Sequence, residues 1–292
     1  MTESQGEVAT TEEHAAPPEA WDAIAEGYDR YVAAQEVELA NEALRLVGLE
    51  PGERFLDIAA GTGGLSLPAA RLGAHVLATD WSPAMIERFD ARVREERLDN
   101  AVGRVMDCHA LDLADGSFDV TGSQFGVMLV PDQARALREM VRVTRPGGRV
   151  LVIAYGSPAQ LEFIQLFSGA LKAVAPEFPG LPDDPPPLEF QVSDPQVLSQ
   201  RLADAGLQGV RVERTAERPT FDSGQGMWDW VLHGNPIPGA MIADLELTEE
   251  QQAGLRQVLD GMLRERAGRD GRTTLTNPVN IGMGTVSSLR RA

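Results

Sequence analysis

The sequence predicts an α/β protein built on a doubly wound, mostly parallel sheet, with helical cap elements added to it. Three observations carry that expectation. Short apolar runs alternate with helical patterns between Arg54 and Ala154, the rhythm of a parallel sheet covered on both faces. The first run ends in a glycine-rich turn, FLDIAAGTGG over residues 55–64. After Tyr155 the rhythm breaks into proline-rich and helical segments that fit no simple strand–helix repeat.

The elements follow in order. Residues 1–17 are polar and acidic, with few large apolar groups, and are expected to be a disordered tail. Trp21, Ile24, Ala25 and Tyr28 fall on one face at helical spacing. A second helix is expected from about Val37 to Val47, with Gly48 placed to stop it. Strands are expected at Arg54–Ile58, His75–Thr79, Val102–Met106, Phe118–Phe125 and Arg149–Ala154. Helices are expected between them at Gly63–Leu72, Pro83–Arg97 and Pro131–Val143, Pro83 suiting a first turn. Beyond them come a helix at Leu161–Val174, the stretch APEFPGLPDDPPP, which cannot be regular structure, and a helix at Asp194–Ala205 stopped by Gly206. A sixth strand near Val210–Arg214, helices at Trp228–Leu232 and Glu249–Arg266, and a last strand at Val279–Gly284 complete the reading. The organisation expected is one domain over 18–292, with a cofactor-binding core over 18–155 and substrate-cap insertions at 156–190 and 222–270.

Composition removes several function classes. The formal net charge of −18 argues against nucleic-acid binding, which needs Lys and Arg against phosphates. Lys172 is the only lysine, which leaves little scope for Schiff-base chemistry. No apolar run reaches the roughly 18 residues of a membrane span. The N-terminal stretch has no apolar core of an export signal, so the expected location is the cytoplasm. The single cysteine, Cys108, excludes an intramolecular disulfide, and His14, His75, His109 and His233 make no closely spaced pair, so no metal site is expected.

The residues of the glycine turn leave two cofactor readings open. A dinucleotide fingerprint needs GxGxxG, and Gly61 and Gly63 fit it while Ser66 occupies the third glycine position. Asp80, ending the second strand, suits a ribose in either reading.

The ordered motifs favour the second. Asp57-x-Ala59-x-Gly61-Thr62-Gly63 resembles the first motif of class I S-adenosylmethionine-dependent methyltransferases, whose fold is Rossmann-like. Asp80-Trp81-Ser82-Pro83-Ala84-Met85, the segment MDCHALDLADGSFDV from Met106 and the turn Arg145-Pro146-Gly147-Gly148 resemble later motifs of that family, in its order. WDAIAEGYDRY and SQFGVMLVPD are similar to the ubiquinone/menaquinone-biosynthesis C-methyltransferase-like subgroup; the similarity covers roughly residues 20–155. The resemblance implies S-adenosyl-L-methionine as cofactor, near Ala59, Gly61, Thr62 and Gly63. It implies Asp57 toward the ammonium, Asp80 on the ribose hydroxyls, and Asp107 with the Cys108 backbone N–H on the adenine. Trp81 and Met85 would pack on the adenine, Gln124 would lie near the methionine moiety, and Tyr28 would close over the cofactor. The family's usual glycine is replaced by Ala59, for which φ < 0 is expected, leaving the turn's freedom to Gly61, Gly63 and Gly64.

The expected function is methyl transfer, by in-line displacement, to a hydrophobic or aromatic small molecule. The alternatives are a methyltransferase-fold protein that binds the cofactor without transferring methyl, such as a cyclase or interaction partner, and a nicotinamide-dependent oxidoreductase. No general base is assigned; His233, in MWDWVLHGNP, is the one side chain singled out for a catalytic role, and His109, beside the adenine segment, is disfavoured.

Overall fold

The computed structural model describes residues 16–182 and 184–288, so most of the expected acidic tail lies outside the described residues. Two helices open the chain, α1 (Pro18–Tyr31) and α2 (Val37–Val47). Gly48 ends α2 at φ 71°, a left-handed conformation that glycine adopts without a Cβ clash. The core follows as β1 (Arg54–Ile58), α3 (Ser66–Arg71), β2 (His75–Asp80), α4 (Pro83–Glu96), β3 (Ala101–Val105), β4 (Phe118–Gln124), α5 (Gln133–Val143) and β5 (Thr144–Tyr155). Then come α6 (Glu162–Val174), α7 (Pro195–Asp204), β6 (Leu207–Glu217), β7 (Thr220–Phe221), α8 (Gly224–Gly234), α9 (Pro236–Asp244), α10 (Glu249–Arg266), β8 (Thr273–Thr274) and β9 (Asn277–Val286).

The main sheet has seven strands in the order β3-β2-β1-β4-β5-β9-β6. The five strands up to β5 pair in parallel, and β9 runs antiparallel to both β5 and β6. Phe55, Leu56 and Ile58 of β1 are fully buried, each contributing about 1.5–3 kcal/mol by leaving water. Leu39, Ala40, Ala43, Leu44 and Val47 form the stripe that seats α2 on this core.

Several elements differ from the sequence reading. The helix expected from Gly63 begins only at Ser66, because Gly63 N–H bonds back to Ala60 O and the chain is still turning there. The strand expected from Arg149 begins at Thr144, so Arg145–Gly148 forms a bulge inside β5, where its pairing with β4 shifts register between Phe118 and Val120. Helix α9 and the short β7–β8 pair have no counterpart in the sequence reading; Pro236 and Pro238 obscure α9, although proline suits a first helical turn.

A second apolar cluster lies apart from the sheet. It joins Val32 at the end of α1 to Leu166 and Phe167 of α6, Trp228 and Trp230 of α8, and Leu255 and Leu259 of α10. The Gly224 N–H donates to Asp260 Oδ1 at 2.7 Å, and a Cβ on Gly224 would run into the α10 backbone at Arg256. Glycine there lets α8 touch α10 directly.

Candidate functional site

The strand order reverses between β1 and β4, and the carboxyl ends of two strands at such a point open a ligand crevice. A cavity of about 370 Å³ occupies this crevice and continues under the second apolar cluster.

Its floor is the turn after β1. The Ala60 N–H donates to Thr79 O of β2, which pins the turn to the neighbouring strand. Ala59 sits at φ 52°, against the expected negative value, so the left-handed step begins at the alanine and continues at Gly61 (φ 53°) and Gly63 (φ 97°). The chain must reverse before Gly61, and the tie of Ala60 to β2 leaves Ala59 to make the first pivot. Such a conformation is uncommon for a residue with a Cβ, and a small side chain bears it best. The neighbouring loop yields: a Cβ on Gly126 would lie 2.5 Å from the Ala59 Cβ.

Three buried carboxylates meet the turn. Asp57 accepts from the Ser66 hydroxyl at 2.6 Å through Oδ2, and its Oδ1 is buried without a partner. Ser66, which breaks the dinucleotide fingerprint, therefore orients the Asp57 carboxylate. Asp80 accepts from the Gly61 N–H and the Ser82 N–H, each at 2.9 Å, on different oxygens. Ser82 itself caps α4, its hydroxyl accepting from the Met85 N–H at 3.1 Å, which frees Asp80 from capping. Glu36 lies between α1 and α2, and both its oxygens are within 3.2 Å of the Tyr28 hydroxyl that donates to it. Burial is the largest cause acting on each: it pushes Asp57 up to about 7, Asp80 to about 6 and Glu36 to about 8. A fourth, Glu217 at the end of β6, takes a hydrogen bond from Asn277 Nδ2 at 2.9 Å and is pushed by burial to about 7.

The fourth strand's end supplies the opposite wall. Gln124 is buried and neither of its amide atoms has a hydrogen-bond partner. Phe125 is held at φ 56°, an outlier for a bulky residue, while its N–H donates to Ile153 O and its ring stacks on Tyr155 at 4.5 Å. From Tyr155 the aromatic wall continues through Phe163 to Trp230 at centroid spacings of 5.6 and 5.2 Å. Trp230 Nε1 and Glu189 Oε2 are buried there without partners.

Of the residues singled out in the sequence, Tyr28, Asp57, Ala59, Gly61, Asp80, Trp81, Met85, Asp107, Cys108 and Gln124 all line this cavity. Tyr28 lies over the turn, its ring 3.6 Å from where a Gly61 Cβ would stand. Asp107 is more than half exposed, and one of its oxygens is 2.7 Å from His109 Nδ1. Thr62 and Gly63 lie behind the lining; a Gly63 Cβ would stand 2.5 Å from the Phe89 ring. His233 is outside the lining too: its ring stacks on Tyr31 at 5.4 Å and packs against Gly27 of α1. Sequence reasoning missed Glu36. Its signal was its position on the apolar stripe of α2, three and four residues before Leu39 and Ala40, where a charged residue has no packing role.

This set of acceptors suits a ligand that carries vicinal hydroxyls and positive charge. Carboxylate oxygens keep spare lone pairs after one hydrogen bond, so Asp80 can still accept from two hydroxyls. The orphaned Asp57 Oδ1 and Gln124 amide are buried polar atoms that a ligand would satisfy.

Residues 56–152 match the family described as "Methyltransferase domain". An uncharacterized protein of Mycobacterium tuberculosis, Rv1405c, is 35% identical over 184 residues, 63% of this chain and 64% of that relative. The chain thus spans somewhat under two thirds of that relative's length. A demethylmenaquinone methyltransferase of Renibacterium salmoninarum is 34% identical over 171 residues, 56% of this chain and 70% of the relative. The chain belongs to the S-adenosylmethionine-dependent methyltransferases. S-Adenosylmethionine is the cofactor of this family, and the site residues fit it. The fold is shared more widely: the methyltransferase chain superposes on the YcgJ protein of Bacillus subtilis with a TM-score of 0.56 at 15% identity, over 85% of this chain and 97% of that one. Among the described residues of the methyltransferase, no helix is long and apolar enough to cross a membrane.

Proposed function

We propose that this protein transfers a methyl group from S-adenosylmethionine to a largely apolar, aromatic small molecule held beneath the cap segments 156–190 and 222–270. The observation that carries the reading is the single continuous cavity: its carboxylate-rich end is at the glycine turn, and its other end is walled by Phe163, Phe167, Phe178, Trp230, Ile237 and Met241. Pockets that hold drug-sized molecules share this make-up, an apolar wall with a few placed polar groups. Here those groups are the unpartnered Trp230 Nε1, a donor, and Glu189 Oε2, whose carboxyl is raised by burial.

S-Adenosylmethionine, when bound, supplies an electrophilic methyl on a positively charged sulfur. The chain supplies placement. Asp80, fixed by two backbone N–H groups, would accept from the ribose hydroxyls, and Asp57, fixed by Ser66, would face the amino-acid end. Met106, Asp107, Cys108 and Trp81, which line the cavity, would enclose the adenine. Phe125, held at positive φ and stacked on Tyr155, lines the cavity beside Gln124. Holding an acceptor in line with the methyl can supply about 7–11 kcal/mol of the barrier.

Incubation with methyl-labelled cofactor and a panel of phenols, quinols and amines tests the reading. Label appearing in an apolar aromatic acceptor is the expected result; transfer confined to small polar amines would overturn the acceptor class.

A further inference from the structure

We propose that Glu36 is the counter-charge for the positive end of the cofactor, and that its carboxyl releases its proton to solvent as that cation enters. The proposal rests on S-adenosylmethionine occupying the crevice and goes beyond it by naming a residue outside the glycine-turn motifs.

Position comes first. Glu36 is 6% exposed and lines the cavity. A Cβ on Gly64 would stand 2.7 Å from Glu36 Oε2 and 3.5 Å from Gln124 Nε2, so carboxyl and amide converge over the same glycine of the cofactor turn. A side chain at residue 64 would fill the gap they share.

Charge decides the role. The groups acting on Glu36 are Tyr28 from α1, Asp57 from β1, Gln124 from β4 and Glu217 from β6, and Tyr155 of β5 feels the Glu36 charge in turn. None of these is cationic. Among the described residues, no Arg, Lys or His forms an ion pair with Glu36, Asp57, Asp80 or Glu217. Four carboxyls thus share one buried region without a positive partner, a costly arrangement unless protons or a ligand cation neutralise it.

The four are not equivalent. Asp80 has two backbone N–H donors, Asp57 has the Ser66 hydroxyl and Glu217 has Asn277. Glu36 has two side-chain groups, the Tyr28 hydroxyl between its two oxygens and the Gln124 amide beside it. Neither offsets its burial beside the Glu217 charge, which together push its pKa to about 8, above those of Asp57, Asp80 and Glu217. An ammonium or sulfonium entering beside it supplies the missing charge. The ionised carboxylate then gains a partner and its proton leaves to water.

Calorimetry in two buffers of different ionisation enthalpy, at pH 7, measures the protons released per ligand bound. Three ligands separate the cations: S-adenosylmethionine carries sulfonium and ammonium, S-adenosylhomocysteine only the ammonium, and methylthioadenosine neither. The wild-type protein should release close to one proton with S-adenosylmethionine and markedly fewer with methylthioadenosine. Glu36→Gln should abolish that difference and weaken S-adenosylmethionine about tenfold or more, with methylthioadenosine within twofold. Release with S-adenosylhomocysteine would assign the ammonium as partner, and release with S-adenosylmethionine alone would assign the sulfonium; both uphold the proposal. Unchanged proton release and affinity in Glu36→Gln would overturn it. Should that variant fail to fold, the wild type still decides. Its affinity for S-adenosylmethionine relative to methylthioadenosine must rise between pH 6 and 8, and a flat ratio defeats the proposal. Methylthioadenosine binding that is lost in Asp80→Ala keeps the cofactor site intact whatever happens at Glu36; absence of binding by all three ligands would remove the site and the proposal together.

Discussion

The two ends of the cavity are built by different means. At the glycine turn, backbone and carboxylates do the positioning, and each of three carboxyls is tied by a named hydrogen bond: Asp57 to Ser66, Asp80 to Gly61 and Ser82, Glu36 to Tyr28. Under the cap, aromatic rings touch other rings, and the polar atoms Trp230 Nε1 and Glu189 Oε2 are left without partners. A donor shared by a whole family can be held by fixed, directional contacts. The apolar wall assembled from α6, α8, α9 and the loop before α7 is set by shape, and under the proposed function a different set of rings would accept a different molecule.

The strongest way to break this contrast is at Asp80. Asp80→Ala removes hydrogen bonds from a buried carboxylate, each worth about 1.5–3 kcal/mol, and strands the Gly61 N–H. Cofactor affinity measured by calorimetry should fall about a hundredfold, with the cap's binding of an apolar probe unchanged. Equal losses at both ends would show that the cavity responds as one unit.

Next in size is the effect of pH on the free protein. Glu36, Asp57, Asp80 and Glu217 all have raised pKa values in the folded state, so the fold binds protons that the unfolded chain has released. Their contribution to stability is present below the ordinary carboxylate range and is lost as pH rises from about 4.5 to about 8. Asp119 and Glu139, held low through Arg54, Arg145 and Arg142, act in the opposite sense and only at more acid pH. The melting temperature should therefore fall by several degrees between pH 5 and 8. Glu217→Gln should reduce that fall. A melting temperature that is flat or rising across this range would contradict the buried-acid picture.

The contrast also explains what the sequence could reveal. Asp57, Asp80 and the glycines were legible because each acts within a few residues of a strand end, and the order of the motifs places them. Ala59 was read with the wrong sign of φ, since its pivot is imposed by the tie between Ala60 and β2, two elements apart in the chain. Glu36 was harder to read for the same reason: its place on an apolar stripe marks it as unusual, and only the fold brings its carboxyl over Gly64 of the glycine turn. The Trp228 and Trp230 segment reads as helix from its own residues. Which rings face the cavity depends on α6 and α10, which pack on α8 from distant parts of the chain.

A smaller effect sharpens the acceptor end. Phe163 bridges Tyr155 and Trp230, and Phe163→Leu keeps an apolar side chain while removing both ring contacts. Losing such contacts costs about 0.5–1.5 kcal/mol each. KM for an aromatic acceptor should rise several-fold, with cofactor affinity within twofold; an unchanged KM would take Phe163 off the acceptor wall.

The smallest effect is expected at His233. Its ring stacks on Tyr31, packs against Gly27 and carries a buried, unpartnered Nδ1, so it joins α8 to α1 behind the cavity wall. A histidine used only in this way is replaceable by a side chain of similar reach. His233→Gln should leave kcat within about twofold and lower the melting temperature by a few degrees at most, in line with the loss of about 1 kcal/mol of ring packing. A fall in kcat of a hundredfold or more at unchanged melting temperature would give the opposite answer. Turnover would then depend on an imidazole, α8 would have to move to present it, and the acceptor end would hold a group as directional as any at the glycine turn.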